Sequence, residues 1–208
     1  MPYRGLLFAA GTSQRYNGVK QLAMVNQQTL VEHCFGQLMK SDIAAPMLVL
    51  AKENEHILSK VAIPMNHVII AKSSTDGLGA SIADAIRHVI EENRALAKIK
   101  LPTTSHVVIA LGDQINLTAD DYRQLYQASI ANPSKIICAS SKVGMSPPVI
   151  FPQKYFEELA HLSGDEGAKA VLKQHFEQVL PVTVNNAEFD IDTEEDYQSW
   201  QQQLAVLS

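Results

Sequence analysis

Along the chain, short apolar runs alternate with longer stretches in which apolar residues recur every three or four positions. Segments 3–10, 46–51, 67–71, 105–111 and 135–140 are apolar on both faces and rich in β-branched residues, as strands buried between two layers must be. Two further runs, 147–151 and 178–184, carry prolines in or beside them. Proline brings no N–H to a ladder, so each predicts an edge strand or an interruption.

The intervening stretches read as helices. In 79–98, Ile82, Ile86, Val89 and Ile90 fall on one face at helical spacing. Thr29, with Glu32 three residues on, predicts a capping box at the head of a helix over 29–41. Thr118, followed by Asp120 and Asp121, predicts a second capped start, with acidic residues where the helix dipole favours them. Segments 165–176 and 193–207 complete the set, the latter capped by Thr193. This alternation predicts an α/β fold, a three-layer α/β/α sandwich around a mainly parallel, mixed sheet. No repeat, low-complexity tract or linker interrupts it, so a single domain over residues 1–208 is expected.

Composition narrows the partners more than the fold. The chain is 46% hydrophobic and 19% charged, with a formal net charge of −5 at pH 7. Such a balance offers no basic field for nucleic acid, although a local group of Lys and Arg can still hold a small anion. Cys34 lies in a helical pattern and Cys138 in a strand pattern; two cysteines are too few for a disulfide framework or a zinc site and read as small core residues. The first strand pattern leaves no room for a signal peptide, and no apolar run approaches the ~20 residues that span a bilayer. A cytoplasmic location away from membranes is the expectation.

In open α/β sheets, ligands bind beyond the carboxyl ends of the strands. The loops to watch therefore follow Ala10, Ala71, Leu111 and Ser140. The first, "AAGTSQRYNGVKQL" (9–22), lacks the Gly-Lys-Ser/Thr ending of a P-loop, because Gln21 follows Lys20, and it lacks G-x-G-x-x-G. A glycine-bearing segment remains, with Arg15 and Lys20 five residues apart. Arg15 can grip phosphate oxygens bidentately and Lys20 can add a point charge; a solvated turn fits the same residues. Gly77 and Gly79, directly before the long helix, either let a ligand approach a helix N-terminus or serve a strand-to-helix turn. Asp113 follows a buried strand and one glycine, where a carboxylate can hold a hard cation such as Mg²⁺. Alternation puts Asp190 and Asp192 on one face; one of them reaches the same ion, or both are solvated acids.

Read together, these stretches resemble one family. "AAGTSQRYNGVKQL" resembles the A-A-G-x-S/G-x-R-M-G-x-x-K signature of nucleotidyltransferases with the sugar-nucleotide-transferase-like α/β fold. "GLGASIADAI", "LGDQI", "LSGDEGAKAVL" and "DIDTEEDY" are similar, in matching order, to the molybdenum cofactor cytidylyltransferase branch. The resemblance implies Mg²⁺-dependent transfer of a nucleoside monophosphate from an NTP, CTP favoured, to a phosphorylated acceptor such as molybdopterin, with release of pyrophosphate. Carried over by position, Arg15, Lys20 and Asp113 are the catalytic residues. Ala9, Ala10, Gly11, Thr12, Ser13, Arg15, Lys20, Ser74, Gly77, Gly79 and Ser81 bind the nucleotide. Gly164, Asp165, Gly167 and Lys169 face the acceptor, and Asp113 and Asp192 bind the metal. A molybdoenzyme receiving the cofactor is a partner under this reading.

Four departures fall on recognition loops. The signature's Met-Gly is Tyr16-Asn17, the usual proline after "LGDQ" is Ile115, an Arg-Gly pair is replaced by Met145-Ser146, and Lys169 stands for an arginine. They leave two alternatives: transfer to another phosphorylated acceptor such as a sugar phosphate, or a non-catalytic protein that binds and delivers the cofactor.

Overall fold

A computed structural model describes residues 2–11, 16 and 18–207. Its first strand, β1 (Tyr3–Phe8), is followed by a two-residue ladder, β2 (Met24–Val25) with β3 (Gln28–Thr29), and by helix α1 (Leu30–Met39). Then come β4 (Met47–Ala51), β5 (Val68–Ala71), α2 (Leu78–Lys98), β6 (His106–Leu111), α3 (Ala119–Ala131) and β7 (Ile136–Ser141). The remainder is β8 (Gly144–Pro152), α4 (Phe156–Leu159), α5 (Lys169–Gln174), β9 (Val179–Thr183) and α6 (Glu194–Leu207).

Seven strands form one mixed sheet in the order β5-β4-β1-β6-β8-β7-β9. β8 pairs antiparallel with both of its neighbours, and the remaining pairings are parallel. The alternation of side chains sorts the core into two faces. Leu7, Leu48, Leu50, Val108 and Ala110 pack with residues of α1, α3 and α6, whereas Leu6, Phe8, Val49, Val107 and Ile109 pack with α2, α4 and α5. The three-layer α/β/α sandwich expected from the alternation is therefore what forms. Cys34 and Cys138 are free and buried, one on each face. Burial pushes the Cys138 thiol up to about 12.

The two proline-bearing runs divide between the two outcomes expected of them. β9 is an edge strand, so Pro181 needs no ladder partner on its outer side. β8 is internal, and Pro147 and Pro148 fall between its paired residues Ser146 and Val149, opposite a register shift at Cys138/Ala139. The prolines thus occupy the one stretch that neither neighbour pairs.

Capping boxes form at Thr29/Glu32 and Thr118/Asp121. Thr193 and Asp196 make the same reciprocal bonds at the head of α6. The helix expected over 165–176 is shorter, spanning Lys169–Gln174. Gly167 adopts φ +56, in the left-handed region, and the right-handed helix begins only beyond it. The β2–β3 ladder was not expected from the sequence. Asn26 and Gln27 both have positive φ there, as in a type I′ hairpin turn, but without the Asn-Gly that would have announced it.

Candidate active site

Parallel register brings the first site residues together. Phe8 lies opposite Leu111 at the carboxyl ends of β1 and β6, so the loops that follow start side by side. Ala9 and Ala10 continue β1 and are buried; Gly11 is exposed. Gln21 fixes this bend, donating from Nε2 to the carbonyls of Ala9 (3.2 Å) and Gly11 (3.0 Å). Asn54 donates to the Gly11 carbonyl as well. Thr12, Ser13 and Arg15 lie outside the described residues.

Lys20 opens a short 3₁₀ turn and is 9% exposed. Its Nζ donates to Asp113 Oδ2 at 2.8 Å and lies 3.4 Å from Asp192 Oδ1. These three side chains come from stretches 93 and 172 residues apart in sequence. Backbone bonds arrange the meeting. The N–H of Ile191, which is fully buried, donates to the Asp113 carbonyl at 3.0 Å. With Ile191 held in the core, Asp190 and Asp192 are left on the opposite side, beside Asp113.

Asp190 carries the clearest electrostatic signature of this group. Desolvation, followed by repulsion from Asp113 and then Asp192, raises its carboxyl to about 6. The residue is exposed, and the neighbouring carboxylates are what keep its charged form unfavourable. Asp113 Oδ1 is buried and has no hydrogen-bond partner among the described residues. A carboxylate oxygen left so is an acceptor awaiting a cation or a donor. No group of three or more His, Cys, Asp or Glu side chains capable of holding a metal occurs among the described residues. One or two carboxylates completed by substrate phosphates is, however, the usual donor set for Mg²⁺, and Asp113 with Asp192 fits it.

Two cavities flank this cluster. The first, about 450 Å³, is lined by Ala10, Gly11, Ser74, Gly77, Ser81 and Asp113 among others. The second, about 490 Å³, is largely aliphatic, with Ile82, Ile109, Val149 and Leu172 in its wall, and Asp190 and Lys169 among its polar groups. Leu78, Leu111 and Asp165 belong to both and form the partition.

The glycines before α2 are required by the chain itself. Gly77 has φ +98, and a Cβ there would lie 2.4 Å from Asp165 Oδ1 and 2.6 Å from the Gly164 backbone. At Gly79 a Cβ would lie 2.7 Å from the Ser163 carbonyl, and the Gly79 N–H donates to the Gly164 carbonyl at 2.7 Å. The packing against residues 163–164 accounts for the turn role of this pair. Gly77 also borders the first cavity, whereas Gly79 borders neither. Gly164 and Gly167 shape the facing loop, while Asp165 and Lys169 reach the cavities.

Three residues not singled out from the sequence organise the site: Gln21, Gln114 and Ile191. Gln114, buried, donates to the Pro147 carbonyl at 2.9 Å and so ties the Asp113 loop to the start of β8. Both glutamines directly follow a charged site residue, the only signal that could have marked them. Two departures find local reasons. Tyr16 packs against the core and hydrogen-bonds Glu194 at the head of α6, so that burial and this carboxylate push its phenol up to about 12. Ile115 donates its N–H to the Asp113 carbonyl, a bond that a proline there would lack.

A sequence search of curated proteins finds no match. Among solved structures, Rv0371c from Mycobacterium tuberculosis H37Rv is similar with a TM-score of 0.81 and 22% identity, covering 97% of this chain and 99% of that one. A complex of Rv0371c with manganese aligns with a TM-score of 0.75, 22% identity and the same coverage. Molybdopterin-guanine dinucleotide biosynthesis protein A from Archaeoglobus fulgidus aligns with a TM-score of 0.67 and 14% identity over 97% of this chain and 98% of that one. These likenesses establish a shared fold. A family model described as "MobA-like NTP transferase domain" matches residues 5–179, and the chain belongs to that family of nucleotidyltransferases.

Proposed function

We propose that the chain, acting as one domain, transfers a nucleoside monophosphate from an NTP, CTP favoured, to a phosphorylated acceptor, and that Mg²⁺ is its ion. The observation that carries this reading is the meeting of Lys20, Asp113 and Asp192 between two adjoining cavities. The first cavity, walled by Gly11, Gly77 and Ser81 and bordered by Asp113, suits a nucleotide whose phosphates point toward Lys20. The second suits the acceptor.

The acceptor's phosphate oxygen attacks the α-phosphorus; the new P–O bond forms as the α–β bridging P–O bond breaks, and pyrophosphate leaves with that electron pair. An acceptor phosphate is already ionised, so positioning and charge stabilisation carry the reaction without a general base. Lys20, with Arg15, stabilises negative charge on the α-phosphoryl and the departing pyrophosphate. Asp113 and Asp192 would hold a divalent ion, which would supply further charge neutralisation there. The manganese complex of Rv0371c supports a divalent ion in this fold.

The lining of the second cavity bears on the acceptor. A polyhydroxylated sugar needs many hydrogen-bond partners, whereas Ile82, Ile109, Leu111, Val149 and Leu172 offer apolar surface to a flatter, less hydroxylated body. Molybdopterin meets that description better than a sugar phosphate. The test is pyrophosphate release with each of the four NTPs, Mg²⁺ and either molybdopterin or a panel of sugar phosphates. CTP with molybdopterin should be turned over fastest, and Asp113→Ala should lower the rate on the order of a thousandfold. Full activity in Asp113→Ala, or tight cofactor binding without pyrophosphate release under any NTP, would overturn the reading, the second outcome in favour of a carrier.

A further inference from the structure

We propose that Lys20 is a resident counter-ion: its ammonium holds the cation seat between Asp113 and Asp192 until a divalent ion binds there, yields that seat to the ion, and turns to the phosphates when the triphosphate enters. The proposal rests on the reading of the site as a metal-dependent nucleotidyltransferase. It adds that the lysine and the metal compete for the same two carboxylates.

Lys20 Nζ lies 2.8 Å from Asp113 Oδ2 and 3.4 Å from Asp192 Oδ1. A divalent ion bridging the two carboxylates needs oxygens at roughly 2.0–2.1 Å and its own coordination shell, so it cannot share that space with an ammonium. Asp113 Oδ1, buried and with no hydrogen-bond partner among the described residues, gives an arriving ion a first foothold that leaves the lysine in place. Recruiting Asp192 Oδ1, the oxygen the ammonium faces, as the second ligand requires the lysine to move.

Only the side chain has to do so. The backbone of the turn is pinned by the Leu22 N–H to the Val19 carbonyl and by the Ala23 N–H to the Lys20 carbonyl, whereas the four-carbon stem of lysine is flexible. Asp113 and Asp192 also face one point, and the ammonium there balances their charge. Once displaced, the ammonium exchanges carboxylate oxygens for phosphate oxygens at little electrostatic cost. Metal alone must expel the lysine without that compensation. Metal and nucleotide therefore bind with positive coupling, and each tightens the other by the same factor.

The experiment measures Mn²⁺ binding by the loss of the free-ion EPR signal, with and without CTP, for the natural protein and Lys20→Met. Without nucleotide, Lys20→Met should bind Mn²⁺ about tenfold more tightly, and CTP should tighten Mn²⁺ binding more in the natural protein than in the variant. Equal or weaker Mn²⁺ binding by Lys20→Met overturns the competition while leaving the nucleotidyltransferase reading intact. Absence of Mn²⁺ binding by either protein, even with CTP, removes both. A measurement on the unmodified chain guards against misfolding of the variant: acetylation of Lys20, followed by mass spectrometry against exposed Lys98 as internal reference, should speed up several-fold on saturation with Mg²⁺ alone. An unchanged rate overturns the proposal.

Discussion

The two cavities are divided by Asp165, Leu78 and Leu111, yet they are made of different material. The first has alanine, glycine and serine at the end of β1 and the start of α2 along much of its wall, so there its shape follows the backbone. The second is bounded by long aliphatic side chains contributed by α2, β6, β8 and α5. At Gly77 this wall tolerates no side chain, because an added Cβ meets Asp165 and the Gly164 main chain, whereas at Gly11 it would meet nothing. A wall made of aliphatic side chains can be reshaped by exchanging volumes at modest cost. The second cavity is therefore the more adaptable of the two.

The sharpest way to break this contrast is Gly77→Ala. Its Cβ would meet Asp165 Oδ1 at 2.4 Å and the Gly164 backbone at 2.6 Å, with φ at +98. The variant should lose at least about 2 kcal/mol in urea denaturation and raise the KM for the NTP. A stable variant with unchanged nucleotide kinetics would mean that the backbone wall is softer than its geometry indicates. Lys169→Ala tests the other side. Lys169 is the cationic residue in the lining of the second cavity, and losing a charge-assisted bond should raise the acceptor KM about tenfold. The NTP KM should hold within about twofold; parallel rises would show that the partition does not separate two ligands.

A smaller effect follows from Asp190, which lines the second cavity but is charged against Asp113. Its folded carboxyl, raised to about 6 from 3.8, takes up a proton that the unfolded chain does not hold in that interval. Stability of the metal-free protein thus falls as pH rises from about 4 through about 6, and the loss is complete above that. Asp190→Asn should raise the melting temperature slightly at pH 7.5 and leave it unchanged near pH 4. The reverse pattern would mean that Asp190 is stabilised by a partner rather than strained by its neighbours.

Most of the fold was legible because its strands and helices are locally consistent: β1, β4, β5, β6 and β7 read as buried strands, and Thr29 and Thr118 announced their helices. The position of β8 was not legible. Prolines restrict where a strand can lie, but which neighbour it joins depends on contacts far away in sequence. The site divides in the same way. Lys20 and Asp113 stood out as charged residues in the loops after β1 and β6, whereas Asp192 was told from Asp190 only by the family resemblance. Gln21, Gln114 and Ile191 act through hydrogen bonds to carbonyls, which no side-chain pattern reveals. Gly79 could be seen to be special, but not that the 163–164 loop is its reason.

The reversal of β8 bears on how such a chain can diversify. A parallel strand offers its last residues to the ligand edge, and the chain must then travel the length of the molecule before returning. β8, running the other way, offers its first residues, and Met145, Ser146 and Pro147 reach the second cavity straight from a tight connection after β7. At the tip of that hairpin Lys142 and Val143 are exposed, the Lys142 N–H bonded to Glu188 Oε1, so residues added or removed there would redraw the rim of the second cavity without disturbing the register of β1 and β6. A lineage could change what it modifies by editing one turn while keeping the same activated donor.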